Sequence, residues 1–120
     1  MIVLNTEQLI EDEHVNYGNL EGALYDKLTF EKLVRMNIIW VLECIFGPPE
    51  SIWKENTNYR DIFVLDQQSL RRSVSFEVSR QVSKGKRRSK NGDMYSAAKG
   101  YFISLRFIHF GIEIVRYGCI

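Results

Sequence analysis

One amphipathic segment, residues 29–46, constrains the fold more than any other part of the chain. Its apolar residues recur every three or four positions, as they do on one face of an α-helix. The predicted buried positions are Phe30, Leu33, Val34, Ile38, Val41, Leu42 and Ile45. Thr29 is a suitable N-cap, and Gly47 followed by Pro48-Pro49 can end a helix. The pattern therefore predicts one continuous helix from Thr29 to Phe46.

The segments before this helix are predicted to form short helices. Glu7–Glu11 has the composition of a single helical turn. Residues 20–28 favour a second short helix, although Gly22 lowers the helix propensity there.

After Pro49 the apolar pattern changes from helical to alternating, which is typical of β-strands. The clearest alternation is in residues 73–82, where the apolar residues Val74, Phe76, Val78 and Val82 share one face. The predicted strands are residues 59–65, 73–82, 101–110 and 112–117, and Gly111 would turn the chain between the last two. The polar residues 83–93 are predicted to form a long loop.

These elements predict an α+β fold in a single domain spanning residues 1–120. The main helix would pack on the apolar face of an antiparallel β-meander of three to five strands. This layout of a helix, a Gly-Pro stop and a meander resembles that of many small bacterial or phage inhibitor and immunity proteins, in architecture only. The resemblance implies a protein that docks on another protein.

Charge is divided unevenly along the chain, although the formal net charge is only +1. Residues 1–70 carry 12 acidic and 5 basic side chains, whereas residues 71–120 carry 3 acidic and 11 basic ones. Such segregation can steer a charged partner. The alternative is that folding mixes the two sets of charges on one surface.

The basic segment, residues 84–90, is the main candidate for a binding site. It has five positive charges in seven residues. Basic side chains on a mobile loop suit a phosphate backbone or an acidic protein surface. The alternative is a loop that only improves solubility. The second candidate is the polar face of the predicted sheet, with Phe102 as an apolar contact. The predicted partner-binding residues are Arg80, Lys84, Lys86, Arg87, Arg88, Lys90, Lys99, Phe102 and Arg106.

Catalytic and cofactor motifs find little support in the sequence. Gly85-Lys86 lacks both the earlier glycine and the following Ser or Thr of a P-loop, and no serine lies in a Gly-x-Ser-x-Gly elbow. His109 with Cys44 or Cys119 is a weak candidate nucleophile–base pair. The Cys and His spacing suggests no metal site. We therefore expect no catalytic residues, metal or cofactor.

Two hypotheses follow from these observations. The first is a non-enzymatic protein-binding module, an inhibitor or immunity-type protein that docks on and neutralises another protein. The second is a nucleic-acid-binding protein that uses residues 84–90. The absence of a visible signal peptide or apolar run of about 20 residues predicts a cytoplasmic protein without a membrane partner, with two reduced cysteines. A homodimer formed by strand pairing is possible but nothing demands it.

Overall fold

The computed structural model describes residues 2–6, 13–17, 20–52 and 57–118. Its N-terminal part is a mixed sheet of three strands, β1 (Ile2–Thr6), β2 (Glu13–Tyr17) and β3 (Leu20–Asp26). The central strand is β3, which pairs in parallel with β1 and antiparallel with β2. Ala23 and Tyr25 of β3 are buried, so this strand contributes to the hydrophobic core.

Two short helices follow the sheet, α1 (Lys27–Arg35) and α2 (Ile39–Ile45). The prediction of one continuous helix was wrong because the chain breaks at Asn37, whose φ of 57° lies in the left-handed region. The N-cap is Asp26 rather than Thr29, since its carboxylate accepts a hydrogen bond from the Thr29 N–H at 2.6 Å. The burial of Phe30, Val34, Val41, Leu42 and Ile45 is confirmed, whereas Leu33 and Ile38 are only partly buried.

The C-terminal half is a helical hairpin of α3 (Gln67–Lys90) and α4 (Met94–Tyr117). Two single-turn 3-10 helices, Pro49–Ser51 and Tyr59–Ile62, lie between α2 and α3. The N-caps of α3 and α4 are Asp66 and Asp93, whose carboxylates accept N–H groups of the first turn. Only three residues connect the two helices, and Gly92 among them has a φ of 82°.

The predicted α+β fold with an antiparallel meander was therefore wrong, and the protein is predominantly helical. All four predicted strands, residues 59–65, 73–82, 101–110 and 112–117, are helical or irregular instead. The predicted loop at 83–93 is mostly the last part of α3. Residues 20–26, predicted as helix, form β3, and the predicted turn at Glu7–Glu11 lies outside the described residues.

The strand prediction failed because small and polar residues occupy the buried faces of the hairpin. The buried positions of α3 are Leu70, Ser73, Glu77 and Gly85. Those of α4 are Ala97, Gly100, Ser104, Phe107, Gly111 and Ile114. The spacing on α4 alternates between three and four, as in helix–helix packing, but only two of its six residues are large and apolar. The apolar residues that alternate in the sequence lie mainly on exposed or half-buried positions.

Glycines allow α3 and α4 to approach each other closely. A Cβ on Gly100 would lie 3.2 Å from the backbone oxygen of Gln81 and 3.9 Å from the Cα of Gly85. A Cβ on Gly85 would lie 3.1 Å from the ring of Tyr101. Each glycine lowers helix propensity by roughly 1 kcal/mol relative to alanine. The close packing that the glycines permit between the helices offsets that cost.

The core lies between α1, α2 and the hairpin. Ile39 and Leu42 of α2 are fully buried, and Leu70, Phe107 and Ile114 extend the same cluster into α3 and α4. An ion pair between Glu43 and Arg106, with Oε1 3.2 Å from Nε, also joins α2 to α4.

Asn37 connects the break between α1 and α2 to the beginning of α3. Its side chain is fully buried. The amide Nδ2 donates to the carbonyl oxygens of Arg35 at 3.1 Å and Val64 at 3.0 Å. The amide Oδ1 accepts from the N–H of Asp66 at 3.1 Å. One side chain therefore satisfies three backbone groups and holds the N-cap residue of α3 in place.

Leu42→Ala should lower the free energy of unfolding by about 2–5 kcal/mol, because it removes buried methyl groups and leaves a cavity. Leu28→Ala is the matched control, since the Leu28 side chain is 68% exposed, and should change stability by no more than about 0.5 kcal/mol. Urea unfolding measures both values. Equal effects would place Leu42 on the surface and contradict the described core.

Asn37→Ala should lower the free energy of unfolding by more than about 2 kcal/mol, because it removes the hydrogen-bond partners of buried backbone groups. Asn37→Gly adopts a positive φ without strain but loses the same three hydrogen bonds, so it should also destabilise. Asn91→Ala is the control, because the Asn91 side chain is exposed. If thermal unfolding showed Asn37→Gly to be as stable as the parent, the amide hydrogen bonds would have no structural importance.

Candidate interaction surfaces

The basic segment, residues 84–90, forms the last two turns of α3 rather than a loop. Lysine and arginine are good helix formers, and Gly85 is accommodated because it packs against Tyr101. Arg87, Arg88 and Lys90 lie in the last turn, where positive charge stabilises the helix dipole. Part of this charge therefore has a structural role.

Two of the predicted binding residues are engaged in intramolecular ion pairs. Arg80 Nη2 lies 2.8 Å from Oε2 of Glu77, a carboxylate that is almost completely buried. Arg106 pairs with Glu43 of α2, and its guanidinium carbon lies 5.7 Å from the ring centroid of Phe107. Burial raises the pKa of Glu43, and the nearby Arg106 charge partly opposes that rise.

The hairpin brings most of the other predicted residues to one end. Lys99 lies in the second turn of α4, next to Gly100, which packs near Gly85 of the basic segment. Phe102 follows one turn later and is 65% exposed. Arg106 lies farther from this end, against α2. The predicted residues thus form a basic end of the hairpin, apart from Arg80 and Arg106, which are held in ion pairs.

One exposed face of α3 combines positive charge with an aromatic ring. Its members recur at helical spacing and are all exposed: Arg72, Phe76, Arg80, Ser83, Arg87 and Lys90. We call these residues the basic face of α3. The sequence pattern predicted a strand over residues 73–82 and a loop over residues 83–93, so this face was not recognised. A helical reading of residues 67–90 would have found it.

A second exposed face, on α4, is apolar. It consists of Tyr101, Leu105, Ile108, Ile112 and Val115, and we call it the outer stripe of α4. The exposed fraction of these side chains ranges from 39% for Ile108 to 67% for Leu105. Their spacing of 4-3-4-3 residues is the signal that could have revealed the face, but the alternating apolar pattern predicted two strands there.

A groove continues the outer stripe towards the beginning of α3. Its volume is about 640 Å³. Its apolar lining includes Leu70, Val74, Ile108, Ile112 and Val115. The exposed Arg71 and Arg116 also line it. Gly111 is buried in the groove, where a Cβ would lie 3.1 Å from Cγ2 of Val74. The groove therefore combines apolar walls with two guanidinium groups.

A second groove, of about 430 Å³, separates the α1–α2 break from α3. Met36 and Phe76, both well exposed, line it together with the half-buried Trp40. Glu77 also lines this groove, but its carboxylate already accepts from Arg80. The groove therefore offers mainly apolar contacts.

Two of the candidate catalytic groups, His109 and Cys44, lie in the described part of the chain. His109 pairs with Glu113 on the surface of α4, with Nε2 3.2 Å from Oε1. Cys44 is on α2, and burial, followed by the Glu43 charge, raises its thiol pKa to about 11. Its thiol is therefore protonated near neutral pH. Cys119 lies outside the described residues.

Two further findings concern metal and membrane sites. The described ranges contain no group of three His, Cys, Asp or Glu side chains placed to hold a metal ion. No helix in the described part of the chain is both long and apolar enough to cross a bilayer.

The comparisons with known proteins add no assignment of function. The scan against protein-family models, the search of curated proteins and the search of solved structures each found no match to this chain.

Proposed function

We propose that this protein is a non-enzymatic protein-binding module that docks on and neutralises another protein. The outer stripe of α4 is the centre of the proposed binding surface, and the groove at its C-terminal end extends it. The exposed apolar side chains of the stripe are the observation that carries the proposal.

The exposure of the stripe supports a docking role. Scattered apolar side chains on a surface need no explanation, but a contiguous patch on a soluble domain is typical of an interaction site. Here five apolar residues follow one another along about 21 Å of helix, estimated from the rise per residue. No charged residue belongs to this row. Burying it against a partner would gain hydrophobic free energy without desolvating a charge.

The basic residues have a secondary role in this proposal. The basic end of the hairpin would attract an acidic partner and increase the association rate, while the apolar stripe would hold it. Phe102 is exposed and lies three residues before Leu105, so its ring can extend the apolar contact. A cytoplasmic location is part of the same proposal, and the free thiol of Cys44 is consistent with a reducing compartment.

Leu105→Ser/Ile112→Ser should abolish capture of the protein partner, because both side chains are central in the stripe. Tyr95→Ser is the matched control, since Tyr95 is also exposed on α4 but lies outside the stripe. The measurement is a comparative pull-down from source-cell extract with mass spectrometry, followed by calorimetry with the purified partner. If the double variant captured every protein that the parent captures, the proposed surface would be refuted.

Nucleic-acid binding is the second candidate function, and the basic face of α3 favours it. Arg72, Arg80 and Arg87 are seven or eight residues apart, which places them about 10–12 Å apart along the helix axis. Exposed cations with an interleaved aromatic ring suit a phosphate backbone and a stacked base. Glu77 opposes this role because it already pairs with Arg80.

The two functions differ in their response to charge removal. Under the protein-binding proposal, alanine at Lys84, Lys86, Arg87, Arg88 and Lys90 should mainly slow partner association at low salt. Fluorescence anisotropy with a random oligonucleotide should then show only weak binding by the parent. Tight, salt-sensitive binding that the five substitutions abolish would instead establish nucleic-acid binding.

A further inference from the structure

We infer that the partner segment that binds the outer stripe of α4 is an amphipathic α-helix with acidic residues beside its apolar seam. This inference rests on the proposed function and names the chemistry of its partner. The shape of the surface and the distribution of charge around it carry the inference.

The shape of the surface matches a helix. The 4-3-4-3 spacing from Tyr101 to Val115 is the repeat with which one α-helix packs along another. The exposed row is about 21 Å long, which corresponds to about 14 residues of a partner helix. Gly111 lines the groove, and the absence of a side chain there lets Val74 of α3 approach α4, since a Cβ would lie 3.1 Å from Cγ2 of Val74. Apolar side chains at every third or fourth position of the partner could enter this groove.

Charge at the groove favours an acidic partner. Arg71 and Arg116 are exposed and line it. Residues 66–117 contain eleven basic and four acidic side chains. All four acidic groups have intramolecular roles: Asp66 and Asp93 as N-caps, Glu77 with Arg80, and Glu113 with His109. Carboxylates of a partner would therefore be the natural counterions of Arg71 and Arg116.

The same charges disfavour a second copy of the chain. The loop end of the hairpin carries Lys84–Lys90 and Lys99 against one acid, Asp93. The open end carries Arg71, Arg72 and Arg116 against Asp66 and Glu113. A symmetric dimer through the outer stripe, whether parallel or antiparallel, would place one positively charged end against another. An acidic helix avoids this repulsion.

The test uses three synthetic peptides of about 20 residues, long enough to span the stripe as a helix. The first has leucine at the seam positions and glutamate beside them. The second has lysine in place of each glutamate, and the third has serine in place of each leucine. Methyl NMR spectra of the full chain, labelled at Ile, Leu and Val, detect weak binding and locate it.

We expect the acidic amphipathic peptide to shift the methyl signals of Leu105, Ile108, Ile112 and Val115 in a saturable manner. Its affinity should fall several-fold between about 0.05 and 0.5 M salt, because exposed charge pairs are screened. The lysine and serine peptides should each bind at least about tenfold more weakly, since one meets Arg71 and Arg116 with like charge and the other lacks apolar anchors.

Arg71→Ser/Arg116→Ser should lower the affinity for the acidic peptide about three- to tenfold, as expected for the loss of two exposed ion pairs. Lys32→Ser/Arg35→Ser removes the same charge from the exposed surface of α1 and should leave the affinity within about twofold of the parent. Equal effects of the two double variants would overturn the inference, because binding would then follow net charge alone.

Other outcomes would also overturn it. Equal binding of the acidic and lysine peptides would show a purely apolar site. Sedimentation of the parent as a dimer that Leu105→Ser/Ile112→Ser dissociates would identify a second copy as the occupant. Stripe-dependent binding to phosphatidylcholine–phosphatidylglycerol vesicles, without peptide binding, would identify a lipid surface.

The peptide result can be separated from the fate of the proposed function. If the pull-down partner still depends on Leu105 and Ile112 but the acidic peptide does not bind, the partner chemistry is wrong and the docking function stands. If neither the partner nor the peptide depends on the stripe, both proposals fail.

Discussion

The hydrogen bonds of one buried amide, Asn37, hold together parts of the chain that are otherwise distant in sequence. The left-handed φ of Asn37 ends α1, and its side chain binds the backbone at Val64 and Asp66. Asp66 in turn caps α3. The direction in which the hairpin leaves the core therefore depends on this side chain, and so does the position of every surface that the hairpin presents.

The hairpin has a different surface chemistry on each of its faces. The inner face packs on α2 through Leu70, Phe107 and Ile114, the basic face of α3 is solvated, and the outer stripe of α4 is apolar and exposed. Intramolecular ion pairs hold Arg80 and Arg106, whereas Arg71 and Arg116 line the groove beside the stripe. This division would allow apolar contact and positive charge to act together in the proposed docking surface.

The sequence predicted the buried stripe of residues 30–45 well, because large apolar side chains at helical spacing mark a core-facing helix. It did not predict the break at Asn37, since the partners of that amide lie at 64 and 66. The hairpin was missed because Ser73, Glu77 and Gly100 occupy buried positions where the pattern requires apolar residues. The outer stripe and the basic face could be recognised only after α3 and α4 were known to be helices.

The close approach of α3 and α4 at Gly85 and Gly100 has a consequence for how this protein would associate. At Gly100 the two backbones approach directly, and at Gly85 the Tyr101 ring is already held against α3, so the hairpin backbone and this side chain of the outer stripe are ordered before the outer surface is covered. The hairpin would meet its partner as a preorganised body and lose little conformational entropy on association. The entropy cost of binding would then fall mainly on the partner, which favours a segment that folds only as it docks.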